Sequence, residues 1–294
     1  TQAATQATAL GVGFGGTYVD DGIADTLTIR DLGEDSSYSI ELTDGMTMAE
    51  IVAALQTELA TPQAVRITGQ NALQADGVGT PASSSTVFAD LFIGGASAGV
   101  ANGDTFAIAG RGSDGGTIFR EFTVTDAATQ TLGDLTAEVQ AELGDEFAVF
   151  IDENGVFTAE AKATGTSLVE LSLTSDNLGG GSFDLGAVEA TREGRTAARI
   201  GVSEVGGQLS IEALDFGSSN GFEISFTAGG ADGSASLGVT ADTYTGLDVA
   251  GTIGGFAATG RGRLLTGDEG SAVEGLVARY TGVTAGPIGD LSFN

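Results

Sequence analysis

Apolar and polar positions alternate along most of the chain in short runs, broken by two segments with a helical period. From Thr47 onward Met48, Ile51, Val52, Leu55 and Leu59 fall on one helical face, which predicts a helix. Thr47-Met-Ala-Glu50 opens it as a capping box, in which the Thr hydroxyl and the Glu carboxylate satisfy the first free N–H groups, and Pro62 follows its end. A second helix is predicted from Thr131, with Asp134 as box partner, Leu132, Leu135, Val139 and Leu143 as its stripe, and Gly144 as its stop. Period-two alternation predicts strands at residues 26–30, 38–44, 104–108, 121–126, 147–151, 156–161, 168–173, 198–203 and 208–213.

These elements repeat. Thr47, Met48, Ile51, Leu55 and Leu59 map onto Thr131, Leu132, Leu135, Val139 and Leu143 at a constant offset, and each helix follows two predicted strands, the second ending in Thr-Asp. The second helix leads into a hairpin through Asp152-Glu-Asn-Gly155. The hairpin that would match it for the first helix comes much later, turning at Gly206-Gly207. Gly155-x-Phe-Thr-x-Glu-Ala161 aligns with Gly207-x-Leu-Ser-x-Glu-Ala213, Gly165 with Gly217, and Glu170-Leu-Ser-Leu173 with Glu223-Ile-Ser-Phe226. A β-β-α-β-β module is therefore predicted to be split by a second copy inserted after its helix. The expected class is α+β, mostly β, with two nested modules of this kind and a C-terminal antiparallel β module.

The expected domains are a Gly-rich approach segment at 1–23, a discontinuous outer module with its connectors at 24–102 and 176–245, an inner module at 103–175, and the β module at 246–294. The connectors are the Gly/Ser-rich runs at 77–85 and 178–182. In the last module, strands are predicted at 247–253, 256–265, 275–280 and 291–293, separated by turns at Gly254-Gly255, Gly267-Asp268 and Gly286-Pro287.

Composition narrows the chemistry. The chain has 294 residues, with 11 Lys+Arg against 40 Asp+Glu, a net charge of −29, and neither Cys nor His. Disulfides, thiolate and imidazole metal sites, and Ser-His-Asp or Cys-His catalysis are excluded on residue type alone. A surface this acidic is repelled by phosphate backbones and anionic lipid, so neither nucleic-acid nor membrane partners are expected. Lys162 is the only lysine; the other ten cations are Arg. No basic stretch followed by an apolar core stands near Thr1, so no secretory signal is expected, and the longest apolar runs fall far short of the roughly 20 residues of a membrane span.

Three motifs invite chemistry, and each has a plainer reading. Gly11-Val-Gly-Phe-Gly-Gly16 carries dinucleotide-fingerprint letters, but no predicted strand precedes it and no helix follows to receive a pyrophosphate. Asp152-Glu-Asn-Gly155, Asp20-Asp21-Gly22 and Gly267-Asp-Glu-Gly270 offer oxygens to calcium, but none continues into a twelve-residue ligand loop, and turn formation explains them. Paired carboxylates for glycoside hydrolysis are available only in the sense that any pair among 40 acids is available, and no Trp offers a sugar platform. No catalytic, cofactor-binding or metal residue is nominated, no cofactor is expected, and the chain is not expected to be an enzyme.

The tail carries a resemblance. Asp248-Val-Ala-Gly-Thr-Ile-Gly-Gly255, Ala257-Ala-Thr-Gly-Arg-Gly-Arg-Leu-Leu-Thr-Gly267 and Glu274-Gly-Leu-Val-Ala-Arg-Tyr-Thr-Gly282 resemble the outer-domain segment of flagellar filament cap proteins (hook-associated protein 2). Phe122-Thr-Val-Thr125 with Thr131-Leu-Gly-Asp-Leu135 resembles a phrase shared by flagellins and hook-associated proteins. Gly194-Arg195 leading into Ile200, Gln208-Leu-Ser-Ile211 and Phe216-Gly-Ser-Ser219 also fit cap proteins. The resemblance implies a secreted axial protein of the bacterial flagellum, exported without a cleaved signal, whose copies form a plate at the filament tip under which flagellin subunits insert. Some members also adhere to host surfaces. Members of that family carry long terminal helical legs; neither end here shows heptads, so the resemblance implies that only the outer domains are present. The alternatives are an outer domain of a flagellin or hook–filament junction protein, and a calcium-dependent extracellular adhesin module.

Overall fold

The computed structural model describes residues 8–10, 18, 25–227, 237 and 239–282. The glycine run 11–16, the acidic turn 20–22, the Gly286-Pro287 turn and the strand expected at 291–293 lie outside the described residues.

In chain order the first elements are β1 (Thr8–Leu10), β2 (Asp25–Asp31), β3 (Ser36–Leu42), α1 (Met48–Ala60), β4 (Arg66–Gln74), β5 (Phe92–Ile93) and β6 (Ala96–Ser97). Next come β7 (Thr105–Arg111), β8 (Thr117–Thr123), α2 (Leu132–Leu143), β9 (Phe147–Ile151), β10 (Val156–Ala161), β11 (Glu170–Ser175) and β12 (Val188–Arg192). The chain continues through β13 (Ile200–Val205), β14 (Gln208–Ala213), β15 (Gly221–Thr227) and β16 (Thr243–Thr245). It closes with β17 (Gly251–Ile253), β18 (Phe256–Arg261), β19 (Leu264–Gly267) and β20 (Val277–Arg279). The class is α+β and mostly β, and all strand pairs are antiparallel.

The chain divides into two compact units, Thr1–Thr61 with Ala197–Asn294, and Pro62–Thr196. In the first unit β16-β15-β2-β3 form one sheet and β1-β14-β13 another, and α1 packs against β3 and β13. Both halves of the capping box form: the Thr47 hydroxyl accepts from the Glu50 N–H, and the Glu50 carboxylate accepts from the Thr47 N–H at 2.8 Å. The helical stripe Ile51, Leu55 and Leu59 meets Leu27, Ile29 and Leu42 of the sheet and Ile211 and Phe222 from beyond the insertion in one buried core. Full burial of each such side chain is worth about 1.5–3 kcal/mol.

In the second unit β11-β7-β8 form one sheet, and β6-β5-β4-β10-β9 form another with β12 also paired to β4. Its helix α2 is capped by the Thr131–Asp134 box and ends at Gly144 (φ +78°). Leu135 and Val139 pack into a core that includes a cluster of Phe88, Phe106, Phe122 and Phe183, with ring centroids 4.8–6.0 Å apart.

The repeat is visible strand by strand. The order β2-β3-α1-β13-β14-β15 matches β7-β8-α2-β9-β10-β11, and the last strand of each returns antiparallel to the first, β15 on β2 and β11 on β7. Glu223 opposes Arg30 and Glu170 opposes Arg111 at the equivalent register, each pair bridged, at 3.4 and 3.9 Å.

The boundaries differ from those expected. Residues 62–102 and 176–196, expected with the outer module and its connectors, fall within the Pro62–Thr196 unit. The reason is β4, which ladders onto both β10 and β12 and makes the insertion's larger sheet. The insertion is closed where it leaves and re-enters the outer unit by a bridge: the Gln63 N–H donates to the Arg195 carbonyl at 2.8 Å and the Arg195 N–H donates back at 2.9 Å. The strand expected at 121–126 ends at Thr123, because the Gln130 side-chain oxygen accepts from the Thr125 and Asp126 N–H groups and turns the chain.

The tail folds as a four-stranded meander, β17-β18-β19-β20, on a small core of Val249, Ile253 and Leu265. The single strand expected at 256–265 is two, because Gly262 adopts φ +57°, a conformation glycine reaches without a Cβ penalty, and reverses the chain between β18 and β19.

Candidate functional site

Many of the described acids accept from backbone or hydroxyl donors close by in the fold. Asp152, the first residue of a candidate calcium turn, accepts from the Asn154 and Val156 N–H groups, both at 2.9 Å, and its other oxygen lies 3.6 Å from Arg66. Gly155 in the same turn has φ +77°. In the acidic turn of the tail, Asp268 accepts from the Thr259 hydroxyl at 2.7 Å and Glu274 from the Gly270 N–H at 2.8 Å. Asp104 is fully buried and takes the Ala101 N–H at 2.9 Å and the Gly179 N–H at 2.5 Å. Asp176 accepts from the N–H and hydroxyl of Thr105 and from the Leu178 N–H, and the Thr105 N–H first among these holds its carboxyl below the usual range. These carboxylates cap loops, the work that short acidic side chains do best. No group of three or more acidic side chains placed to hold a metal is present among the described residues.

A different arrangement joins the outer module to the tail sheet. Asp248 accepts from the Ser218 N–H at 3.0 Å, the Ser218 hydroxyl at 2.5 Å and the Gly262 N–H at 2.6 Å. The Ser218 hydroxyl is the main cause of its lowered pKa; the Gly262 and Ser218 N–H groups and the positive charge of Arg261 add to it, and burial opposes it. Nearby, Arg199 forms a two-pronged pair with Asp215, at 2.9 and 3.0 Å, which lowers the Asp215 carboxyl and raises the guanidinium.

Beside the Arg199–Asp215 pair lies a cleft of about 490 Å³, lined by Asp215 with Leu214, Phe216, Asn220, Arg261, Arg263, Leu264 and Arg279. The register places Arg261, Leu264 and Arg279 in one row across β18, β19 and β20, so their side chains share a face. The Arg263 guanidinium stacks on the Phe216 ring at 3.8 Å, and its Nε is buried without a hydrogen-bond partner. Elsewhere Arg30, Arg66, Arg111, Arg120, Arg192 and Arg199 are each bridged to a carboxylate. Arg261, Arg263 and Arg279 make no ion pair among the described residues, although Asp248 is near enough to feel the charge of Arg261. Sequence reasoning missed this cleft. Its signal in the sequence is the placing of three of the ten arginines within residues 261–279.

No protein-family model matches the chain, and no curated protein matches it. Among solved structures, it is similar to the D1-D2-D3 domains of the flagellar cap protein FliD from Escherichia coli, at 11% identity and a TM-score of 0.29, over 81% of this chain and 57% of that one. It is also similar to the D2-D3 domains of the Escherichia coli protein, at 12% identity and TM-score 0.28, over 77% of this chain and all of that one. The flagellar cap protein FliD from Helicobacter pylori matches at 11% identity and TM-score 0.21, over 83% of this chain and 82% of that one. At these TM-scores the likeness does not establish a common fold.

Proposed function

We propose that the chain is the outer part of a structural protein of the bacterial flagellum, one that caps the filament tip outside the cell and promotes flagellin insertion. It acts by shape and by contacts with its own copies and with flagellin subunits, and it carries out no chemistry of its own. Adhesion to host surfaces would be a second use of the same exposed domains.

The observation that carries this reading is the coincidence of text and element in the tail. The three phrases that resemble cap proteins become one discrete unit, the β17–β20 meander. Asp248 of the first phrase fastens it to the Phe216–Ser219 loop through Ser218, and also accepts from the Gly262 N–H of the second phrase; that loop is itself part of the resemblance.

The test is complementation of a strain lacking the full-length gene, with the full chain and with a version deleted for residues 246–282. Full-length protein is expected to restore filaments, and the deletion is expected to leave flagellin monomers in the medium. Filaments of normal length with the gene absent would overturn the reading. Calorimetric titration with calcium, if it showed tight binding and a raised melting temperature, would point instead to the adhesin module.

A further inference from the structure

We infer that the arginine cleft between the outer module and the tail sheet is a docking site for a carboxylate-bearing segment of a second copy of this chain. The inference rests on the self-assembly reading above and adds the place where the contact is made.

Three observations carry it. Arg261 and Arg279 flank Leu264 in one row of the sheet, and Arg263 reaches the same cleft from the turn, so three guanidinium groups converge on about 490 Å³ with a single acid, Asp215, already held by Arg199. Arg30, Arg66, Arg111, Arg120, Arg192 and Arg199 are bridged to carboxylates, whereas these three make no ion pair among the described residues. The Arg263 Nε is buried and unpaired, a polar group that costs free energy until a partner accepts from it. Stacking on Phe216 fixes the guanidinium plane in advance, so little side-chain freedom is lost when a carboxylate arrives.

The geometry suits a carboxylate beside a short apolar stretch. Guanidinium forks take carboxylates in two-pronged fashion, and the Leu214, Phe216 and Leu264 walls take the flanking residue. A second copy is the occupant because carboxylates are what this chain presents in abundance, 40 of them against 11 cations.

The experiment compares sedimentation of three full-length proteins at about 0.15 M salt: the parent, Arg261→Glu with Arg279→Glu, and Arg111→Glu with Arg120→Glu, which makes the same charge change on the other unit. Near-UV circular dichroism and melting confirm that each is folded. The cleft variant is expected to raise the dissociation constant of self-association at least tenfold while the control stays within about twofold of the parent. Equal weakening of both variants, or none in the cleft variant while the parent assembles, overturns this inference and leaves the cap reading standing. A parent that neither assembles nor co-sediments with purified flagellin overturns both. If the parent stays monomeric but purified flagellin co-sediments with it and loses that affinity in the cleft variant, flagellin and not a second copy is the occupant.

Discussion

At the scale of single residues, the chain uses its acids as local fasteners, and the stability effects should follow from which donors each one holds. Asp248 holds three, and its carboxyl is lowered by them, the Ser218 hydroxyl first. A carboxyl lowered on folding adds stability that is present above its unfolded value, about 3.9, and is lost as pH falls through the folded value. Asp248→Asn keeps an acceptor but loses the charge, and should destabilise the unit at pH 7 by about 1 kcal/mol. The gap between variant and parent should begin to narrow as pH falls below about 3.9, and should close only once pH has passed through the lowered folded value, where the parent is protonated as well. Urea melts at pH 7 and pH 3 measure this; a gap of the same size at both values would show that the charge of Asp248 contributes nothing. The helix caps make a parallel case. Thr47→Ala and Thr131→Ala each remove the hydroxyl that accepts from the third residue of a helix, and each should cost about 1 kcal/mol in urea melts of its own unit.

At the scale of elements, legibility depended on whether a segment's form was fixed locally. Both helices could be read because their stripes and boxes lie within about a dozen residues, and the hairpin at Asp152–Gly155 because the turn residues state it. Strand β4 was not legible. Gly69-Gln-Asn71 interrupts its alternation, and it is a strand because β10 and β12 flank it, both far away in sequence. That one strand moved the expected domain boundary. The arginine cleft was hidden for the same reason, since Phe216 and Arg279 meet only after three strands have folded. The stripes themselves can be tested. Leu55 and Val139 are both fully buried, in separate cores. A lone carboxylate in either place costs several kcal/mol, comparable with the whole stability of a domain. Leu55→Asp should unfold the Thr1–Thr61 with Ala197–Asn294 unit and Val139→Asp the Pro62–Thr196 unit, each read as the loss of one transition in a thermal melt. Two variants that melt like the parent would show that these faces are not core.

At the scale of the whole molecule, net charge and local charge act over different distances, and that difference predicts how association responds to salt. Each copy carries −29, so two copies repel wherever the Debye length is long, about 30 Å at 0.01 M salt. At 0.15 M it is about 8 Å, and acidic flanks separated by more than that no longer oppose contact. A guanidinium–carboxylate pair within the cleft is far shorter than either length, so the same salt weakens it less than it weakens the long-range repulsion. Self-association should therefore be slight at 0.01 M and rise toward 0.15 M, a direction opposite to that of an assembly held mainly by surface ion pairs. The cleft variants sharpen the point: if repulsion alone governed association, Arg261→Glu with Arg279→Glu would be rescued by added salt, whereas loss of the docking pair should persist at every concentration. Sedimentation of the parent and the cleft variant across one salt series separates the two. An oligomer tightest at 0.01 M that falls apart as salt is added would show that opposite charges across the interface, and not screening of like charges, set the assembly.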